Sequence, residues 1–338
     1  MISPTARPMI RRRSVVGLLA AGALLSVAAG LAADEAAALG SAQVTGTELR
    51  VAGDSGADHI ALRLEAGVPR NLRVDLDDDG AAEATFDRGS FDTIVVVARG
   101  GDDQVRIDEA NGVFANRDTP TSLLGGGGDD TLIGGSRSVA LVGGSGDDVF
   151  VSTFRRGTLD LDAAGIDGGD GDDTVDVIGA AGAEIYRVIG INGSLTVFDP
   201  TAAPPGNVAV VATNVETLDI HALGGADAVT IGDLSACSLE AGCATSVNRV
   251  KVNLAAALGN SAGDGDVDSV VVDGTADRDE IDIRPRRGRA VVSGLAARIA
   301  IASSEAADDT LTVNTLGGED RVNLGAGLRD LIRTRVNK

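Results

Sequence analysis

Tryptophan is absent from this sequence, tyrosine occurs once and phenylalanine six times, so aromatics make up only 2% of the chain. That scarcity excludes base-stacking and sugar-binding surfaces built on aromatic platforms, and it requires an aliphatic core. Basic residues are also few, 29 against 50 acidic ones, for a formal net charge of −21. A chain so acidic repels phosphate backbones, which excludes nucleic acid as a partner. Lysine is limited to Lys251 and Lys338, and no Gly-x-x-x-x-Gly-Lys loop occurs, which removes phosphate-cradling chemistry of that kind. The two histidines, His59 and His221, occupy variable slots of the repeat described below and are read as exposed spacers. No catalytic set assembles from these residues, and the chain is expected not to be an enzyme.

Cysteine is nearly absent. Cys237 and Cys243 lie close together in a Gly/Ser/Ala-rich stretch. In an exported chain an even pair suggests a disulfide that pins a local turn, and a two-thiol metal site is the alternative. Export itself is suggested by the first residues. Arg7 and Arg11-Arg12-Arg13 precede a run of apolar and small residues from Val15 to Ala33, ending just before Asp34. Within it Arg12-Arg13-Ser14-Val15-Val16 fits the twin-arginine arrangement, so residues 1–33 are expected to be an export signal, with an uncleaved membrane anchor as the alternative. Removing that segment takes away four arginines and no acid, which makes the remainder more acidic still, and no later stretch is apolar enough to span a bilayer.

What the chain has in abundance is glycine, 46 residues in 338, without a collagen-like triplet. The glycines fall into repeats. Gly125-Gly126-Gly127-Gly128-Asp129-Asp130-Thr131-Leu132-Ile133 and Gly143-Gly144-Ser145-Gly146-Asp147-Asp148-Val149-Phe150-Val151 both read Gly-Gly-x-Gly-x-Asp-x-apolar-x, and their starts are two nonapeptides apart. A degenerate unit between them begins at Gly134-Gly135-Ser136 and keeps Leu141 in the apolar slot. Stepping back by nines puts Leu123, Phe114 and Val105 in the same slot, which makes the period an architectural feature.

These nonapeptides resemble the repeats-in-toxin (hemolysin-type) calcium-binding family. The resemblance implies a right-handed parallel β-roll in which each nonapeptide is a turn and a short strand, and two make a coil. It also implies calcium between successive turns, held by the carboxylates of Asp130 and Asp148 and by backbone carbonyls of Gly125, Gly126, Gly128, Gly143, Gly144 and Gly146. General chemistry supports the same assignment, since calcium takes six to eight oxygens and glycine lets the backbone turn carbonyls inward through positive φ. A Gly-Asp turn that merely caps strands is the alternative. Gly168-Gly169-Asp170-Gly171-Asp172-Asp173 repeats the motif but starts out of the period of nine counted from Gly143, so Asp173 is expected to complete at most a partial site.

A looser unit recurs along the chain. Thr93–Ile107 aligns without gaps to Thr217–Ile231 and Thr310–Leu324 as strand, Gly-Gly-x-Asp corner, strand, with weaker copies at Glu48–Leu62 and Ser269–Ile283. Period-two alternation on both sides of a corner suits a coil with one face buried. The corner acids Asp58, Asp103, Asp227, Asp279 and Asp320 are read as turn-stabilising, because no equivalent turn lies two nonapeptides away.

A different acidic loop, Asp75-x-Asp77-x-Asp79-Gly80-x-x-Glu83, sits between the strand-like runs Leu72-Arg73-Val74 and Ala84-Thr85-Phe86. Its start resembles an EF-hand loop, but Phe86 stands at position twelve and no helices flank it. Asp75, Asp77, Asp79 and Glu83 are therefore expected to hold calcium at a hairpin tip, with a solvated acidic turn as the alternative. The alternating Asp264, Asp266 and Asp268 are read as a solvent-exposed loop.

The expected fold is all-β, a parallel β-roll or β-solenoid with degenerate nonapeptide coils and irregular β extensions. Residues 34–120 form an N-terminal β segment with the acidic hairpin, 121–178 the calcium-binding nonapeptide roll, and 179–338 a degenerate solenoid broken at Ala202-Ala203-Pro204-Pro205-Gly206. The expected function is that of a secreted or cell-surface protein, stabilised by calcium ions, with a structural or adhesive role toward surface or matrix polysaccharide or protein. Two alternatives are a polysaccharide-active lyase or hydrolase on a parallel β-helix, with its carboxylate pair among the many acids, and the repeat tail of a larger secreted toxin or protease.

Overall fold

The computed structural model describes residues 40–114, 119–135, 139–153, 164–201, 207–235 and 245–338. The expected export signal, the cysteine pair and the break at 202–206 lie outside the described residues. Within them the chain is all-β, with short strands assembled into two sheets of 13. Among the described residues no helix is long and apolar enough to cross a membrane.

Across the first sheet the strands follow the order Ser41–Thr45, Glu48–Ala52, Thr93–Gly100, Thr121–Gly127, Val139–Ser145, Ala164–Asp170, Asn207–Thr213, Ser194–Asp199, Ile185–Ile191, Ala228–Ile231, Ser269–Asp273, Thr310–Asn314 and Arg333–Asn337. Across the second they follow Ala84–Asp87, Val68–Asp75, His59–Glu65, Gln104–Asp108, Thr131–Ile133, Val149–Thr153, Thr174–Ile178, Thr217–His221, Arg249–Asn253, Arg298–Ala302, Arg289–Ser293, Glu280–Arg286 and Arg321–Leu324. Most neighbours are parallel. Antiparallel strand pairing occurs in the first hairpin, the meander 59–87, and the insertions at 185–213 and 280–302, with one isolated antiparallel bridge between Ala255 and Gly263.

Strand formation follows from composition. In Thr93–Gly100 the run Thr-Ile-Val-Val-Val buries Ile94 and Val96 and leaves Thr93 and Val95 half-buried, the alternation that a pleated strand imposes on β-branched residues. After the next corner, Val105 and Ile107 of the second sheet are buried in the same cluster. Residues from both sheets make up this cluster, which is aliphatic apart from Phe91, Phe114, Phe150 and Tyr186. All six positions of the nonapeptide slot, Val105, Phe114, Leu123, Leu132, Leu141 and Phe150, have no exposed surface. Each is worth roughly 1.5–3 kcal/mol of burial.

The chain crosses between sheets at two kinds of connection. Corners ending at Asp58, Asp103, Asp130, Asp148, Asp173 and Glu216 lead from the first sheet to the second. Connections ending at Glu184, Asp227, Asp268 and Asp309 lead back from the second to the first. The parallel pairing of successive coils stacks connections of each kind on one edge, about 4.8 Å apart. Together these features are consistent with a β-solenoid-like fold.

Candidate metal centre

The two nonapeptide turns lie side by side. Thr121–Gly127 pairs in parallel with Val139–Ser145, placing Leu123 opposite Leu141 and Gly126 opposite Gly144. Where the chain leaves the first sheet, the sheet ladder ends and a peptide N–H at each corner needs another acceptor. The corner aspartate of the next coil provides it: Asp130 N–H donates to Asp148 Oδ1 at 2.8 Å, and the Asp130 carbonyl accepts the Val149 N–H at 2.8 Å. The same contact repeats from Asp58 to Asp103, Asp103 to Asp130 and Asp148 to Asp173, and then from Asp173 to the carboxylate of Glu216. The result is a continuous column of acids along one edge.

In that column Asp103, Asp130, Asp148 and Asp173 each spend one oxygen on the coil before, and the other is left over. Oδ2 of Asp103, Asp130, Asp148 and Asp173 is buried with no hydrogen-bond partner. Burial is the largest influence on these carboxyls and pushes them up, Asp103 and Asp148 to about 7 and Asp130 and Asp173 to about 6. The accepted backbone N–H opposes that rise, and neighbouring negative charges, such as Asp130 and Asp173 beside Asp148, reinforce it. A positive ion placed here would relieve both burdens.

Glycine makes the corner possible in two ways. Gly125 and Gly143 are needed for space, since a Cβ on either would overlap the Oδ2 of Asp130 or Asp148. Gly126 and Gly144 adopt φ of +121° and +123°, and the Gly126 carbonyl oxygen points to where a Cβ on Gly144 would stand. The carbonyls of Gly128 and Gly146 repeat that arrangement toward Gly146 and Gly171. Carboxylate and carbonyl oxygens thus line one edge in register, a donor set of the hard type that calcium takes.

A second column runs beside the first, and the repeat pattern alone does not announce it. Asp129 N–H donates to Asp102 Oδ1, Asp147 N–H to Asp129 Oδ1 and Asp172 N–H to Asp147 Oδ1, at 2.8–3.0 Å. Here the later coil donates to the earlier one, the reverse of the buried column, and these side chains are exposed. Its signal in the sequence is Asp-Asp at four corners, 102–103, 129–130, 147–148 and 172–173.

Corners that break the period of nine also stack. Gly144 pairs with Gly169 and Ser145 with Asp170, so the turn at Gly168 lies directly on that at Gly143 and Asp173 continues the column. The expectation that the outlying corner acids lack an equivalent turn one coil away is corrected. Asp58 and Asp103 belong to the same column as Asp130, separated by 45 and 27 residues. Further along the same edge the Asp279 N–H donates to Asp320, and on the other edge Glu184 N–H donates to Asp227, Asp227 to Asp268 and Asp268 to Asp309. Coil length varies because surplus residues are absorbed in connections, while strand pairing fixes the stack.

The acidic hairpin forms as expected, with Leu72, Arg73 and Val74 opposite Phe86, Thr85 and Ala84. Its charge balance differs from the expectation of carboxylates alone. The fully buried Asp75 is ion-paired with Arg63 and accepts the Gly80 N–H at 3.0 Å. Arg63 also reaches Asp78 at 3.2 Å, and Arg106 Nε lies 2.6 Å from the same carboxylate, holding Asp78 below the usual carboxylate range. Glu83 accepts the Leu76 N–H at 2.6 Å and Asp79 the Ala81 N–H at 2.7 Å. One oxygen each from Asp75, Asp77 and Glu83 lies within 4.8 Å of the others, a group that does not include Asp79. Desolvation, then the charges of Asp79 and Glu83, push Asp77 up.

His59 is exposed, and His221 is half-buried beside Asp176 and Asp219 on the second sheet. Lys251 Nζ already neutralises that group, 3.0 Å from Asp219 Oδ2. Compared with protein-family models, curated proteins and solved structures, the chain gives no match to any of them.

Proposed function

We propose that this chain is an exported calcium-binding protein, a right-handed β-roll of the repeats-in-toxin type, in which ions bound along the glycine–aspartate edge stabilise a structural or adhesive module. One observation carries the reading: the column Asp103, Asp130, Asp148 and Asp173, in which each carboxylate gives one oxygen to the coil before and keeps the other buried without a donor. A closed structural ladder would need only the first oxygen. Asp130 and Asp148 would hold the ion with carbonyls of Gly125, Gly126, Gly128, Gly143, Gly144 and Gly146, and Asp173 would extend the row by one coil. Asp75, Asp77 and Glu83 are the residues for a further ion at the hairpin tip, in competition with Arg63, with Asp79 beside them. Binding restricted to the native state adds directly to folding stability. The partner of such a module is a surface or matrix polysaccharide or protein.

The test is thermal unfolding and circular dichroism of the chain in chelator and in calcium at about 10⁻³ M, the range of extracellular modules. Calcium should raise the melting temperature, and replacing Asp130 and Asp148 together with Asn should remove most of that rise. Identical curves with and without calcium would overturn the proposal.

A further inference from the structure

The edge that leads from the second sheet back to the first carries its own acids, and one group there is built differently from the nonapeptide corners. Asp227 and Asp268 are consecutive members of the ladder on that edge, 2% and 1% exposed. Asp264 comes from the long connection 254–268 and folds back onto the preceding coil, its Oδ2 accepting the Gly225 N–H at 3.0 Å. One oxygen from each of the three carboxylates lies within 4.8 Å of the others.

Two further observations point to a ligand. Asp227 Oδ1 accepts the Glu184 N–H at 2.7 Å, whereas its Oδ2 is buried with no hydrogen-bond partner. The charges acting on Asp227 come from Asp268, Glu184 and Asp264, and those on Asp268 from Asp264, Asp309 and Asp266, all negative. The other two groups of this kind among the described residues each contain a neutralising base, Arg63 at the hairpin tip and Lys251 beside Asp219.

We propose that Asp227, Asp264 and Asp268 form a second cation site, for calcium or another hard divalent ion, on the edge opposite the glycine–aspartate column. The loop carboxylate of Asp264 closes over two ladder carboxylates, so the ion clamps the connection 254–268 onto the coil beneath it. The site does not depend on the nonapeptide reading.

A natural reporter lies beside it. Tyr186, the single tyrosine of a chain without tryptophan, is 3.5 Å through its hydroxyl from Glu184 Oε2, and the Glu184 N–H is the donor to Asp227. The five-residue strand Thr174–Ile178 separates the Asp173 corner from the connection ending at Glu184, a span of about 17 Å. Terbium takes oxygen ligands as calcium does and emits when excited through a nearby tyrosine, with a steep fall over distance.

Added to the full chain, terbium should give tyrosine-sensitised emission that excess calcium removes. Asp264→Asn keeps an acceptor for the Gly225 N–H but removes the charge, and it should weaken terbium binding by about tenfold or more, with the circular dichroism unchanged. Asp130→Asn should leave the emission intact. Absence of sensitised emission from the parent chain, or emission surviving unchanged in a folded Asp264→Asn variant, would overturn the site. If Asp264→Asn fails to fold, Asp266→Asn, at the rim of the group, should still lower the apparent affinity through lost charge, and an unchanged affinity in that variant would count against the site. Emission together with a melting temperature insensitive to Asp130 and Asp148 substitution would sink the column reading alone.

Discussion

Asp148 accepts the Asp130 N–H through Oδ1 at 2.8 Å while its other carboxylate oxygen is buried without a partner, so one side chain carries a structural bond and an unspent charge site. The two roles separate by substitution. Asp148→Asn keeps an acceptor and loses the charge, and in chelator it should melt within about 1 kcal/mol of the parent. Asp148→Ala strands the Asp130 N–H and should cost about 1–3 kcal/mol in chelator, with the loss of the ion added to that in calcium. In calcium the Asn variant should lose the ion's contribution, about 2.7 kcal/mol per site at a hundredfold excess over Kd. Calorimetric melting of both variants with and without calcium measures each term.

Acidity should act on this protein in an unusual direction. Asp103, Asp148 and Asp268 are pushed up to about 7, Asp130 and Asp173 to about 6 and Asp227 to about 8, chiefly by burial, from an ordinary 3.8. Between these values the native state holds protons that the unfolded chain has lost, so stability falls as pH rises. Their contribution is complete below about pH 4 and lost through about pH 6–8. Asp78, held low by Arg106, acts in the opposite sense, and only at the acid end. The melting temperature in chelator should therefore decline from about pH 5 to 8, and calcium should flatten that decline by replacing the protons. A chelator curve that climbs over this interval would contradict the assignment of buried, ion-free carboxyls.

The repeat register was legible because the apolar slot and the corner aspartate recur at a fixed offset, and Leu123, Leu132, Leu141 and Phe150 are all wholly buried. Stacking across unequal coils was not. Gly168 falls outside the period of nine counted from Gly143, but its turn pairs through Gly169 with Gly144, since backbone hydrogen bonds between strands set the register whatever the length of the connection. The side of the molecule was also hidden. Thr93–Ile107 and Thr217–Ile231 read alike, but the first passes from the first sheet to the second and the other returns. A local strand–corner–strand pattern holds no information about which sheet it enters. The Arg63–Asp75 pairing lay equally out of sight, because it depends on the register of two strands.

Glycine substitutions should divide sharply by position. Gly144 has φ of +123° and the Gly126 carbonyl occupies the space its Cβ would need, so Gly144→Ala combines backbone strain of about 1–3 kcal/mol with a clash against main chain. A loss on the order of 3 kcal/mol or more is expected. Gly182 has nothing within 4 Å of a Cβ and no positive φ, and Gly182→Ala should stabilise by about 0.4–1 kcal/mol through the unfolded chain. Chemical denaturation of the two variants tests the contrast, and equal losses would mean that the corner is looser than the carbonyl column requires.

At the hairpin tip the guanidinium of Arg63 stands where a cation was expected to act alone. It pairs with the fully buried Asp75 and with Asp78. Arg63→Met retains much of the stem's packing but leaves the Asp75 charge buried and uncompensated, a change that costs about 3–5 kcal/mol when one partner of a buried pair is removed. Oxygens of Asp75, Asp77 and Glu83 remain within 4.8 Å of one another, so calcium should recover part of that loss in the variant while adding less at this loop in the parent, where the arginine competes. Urea unfolding of parent and variant across a calcium titration separates these effects. If the deficit of Arg63→Met is the same at every calcium concentration, Asp75, Asp77 and Glu83 bind no ion, and the loop is held by its arginines and its own backbone hydrogen bonds.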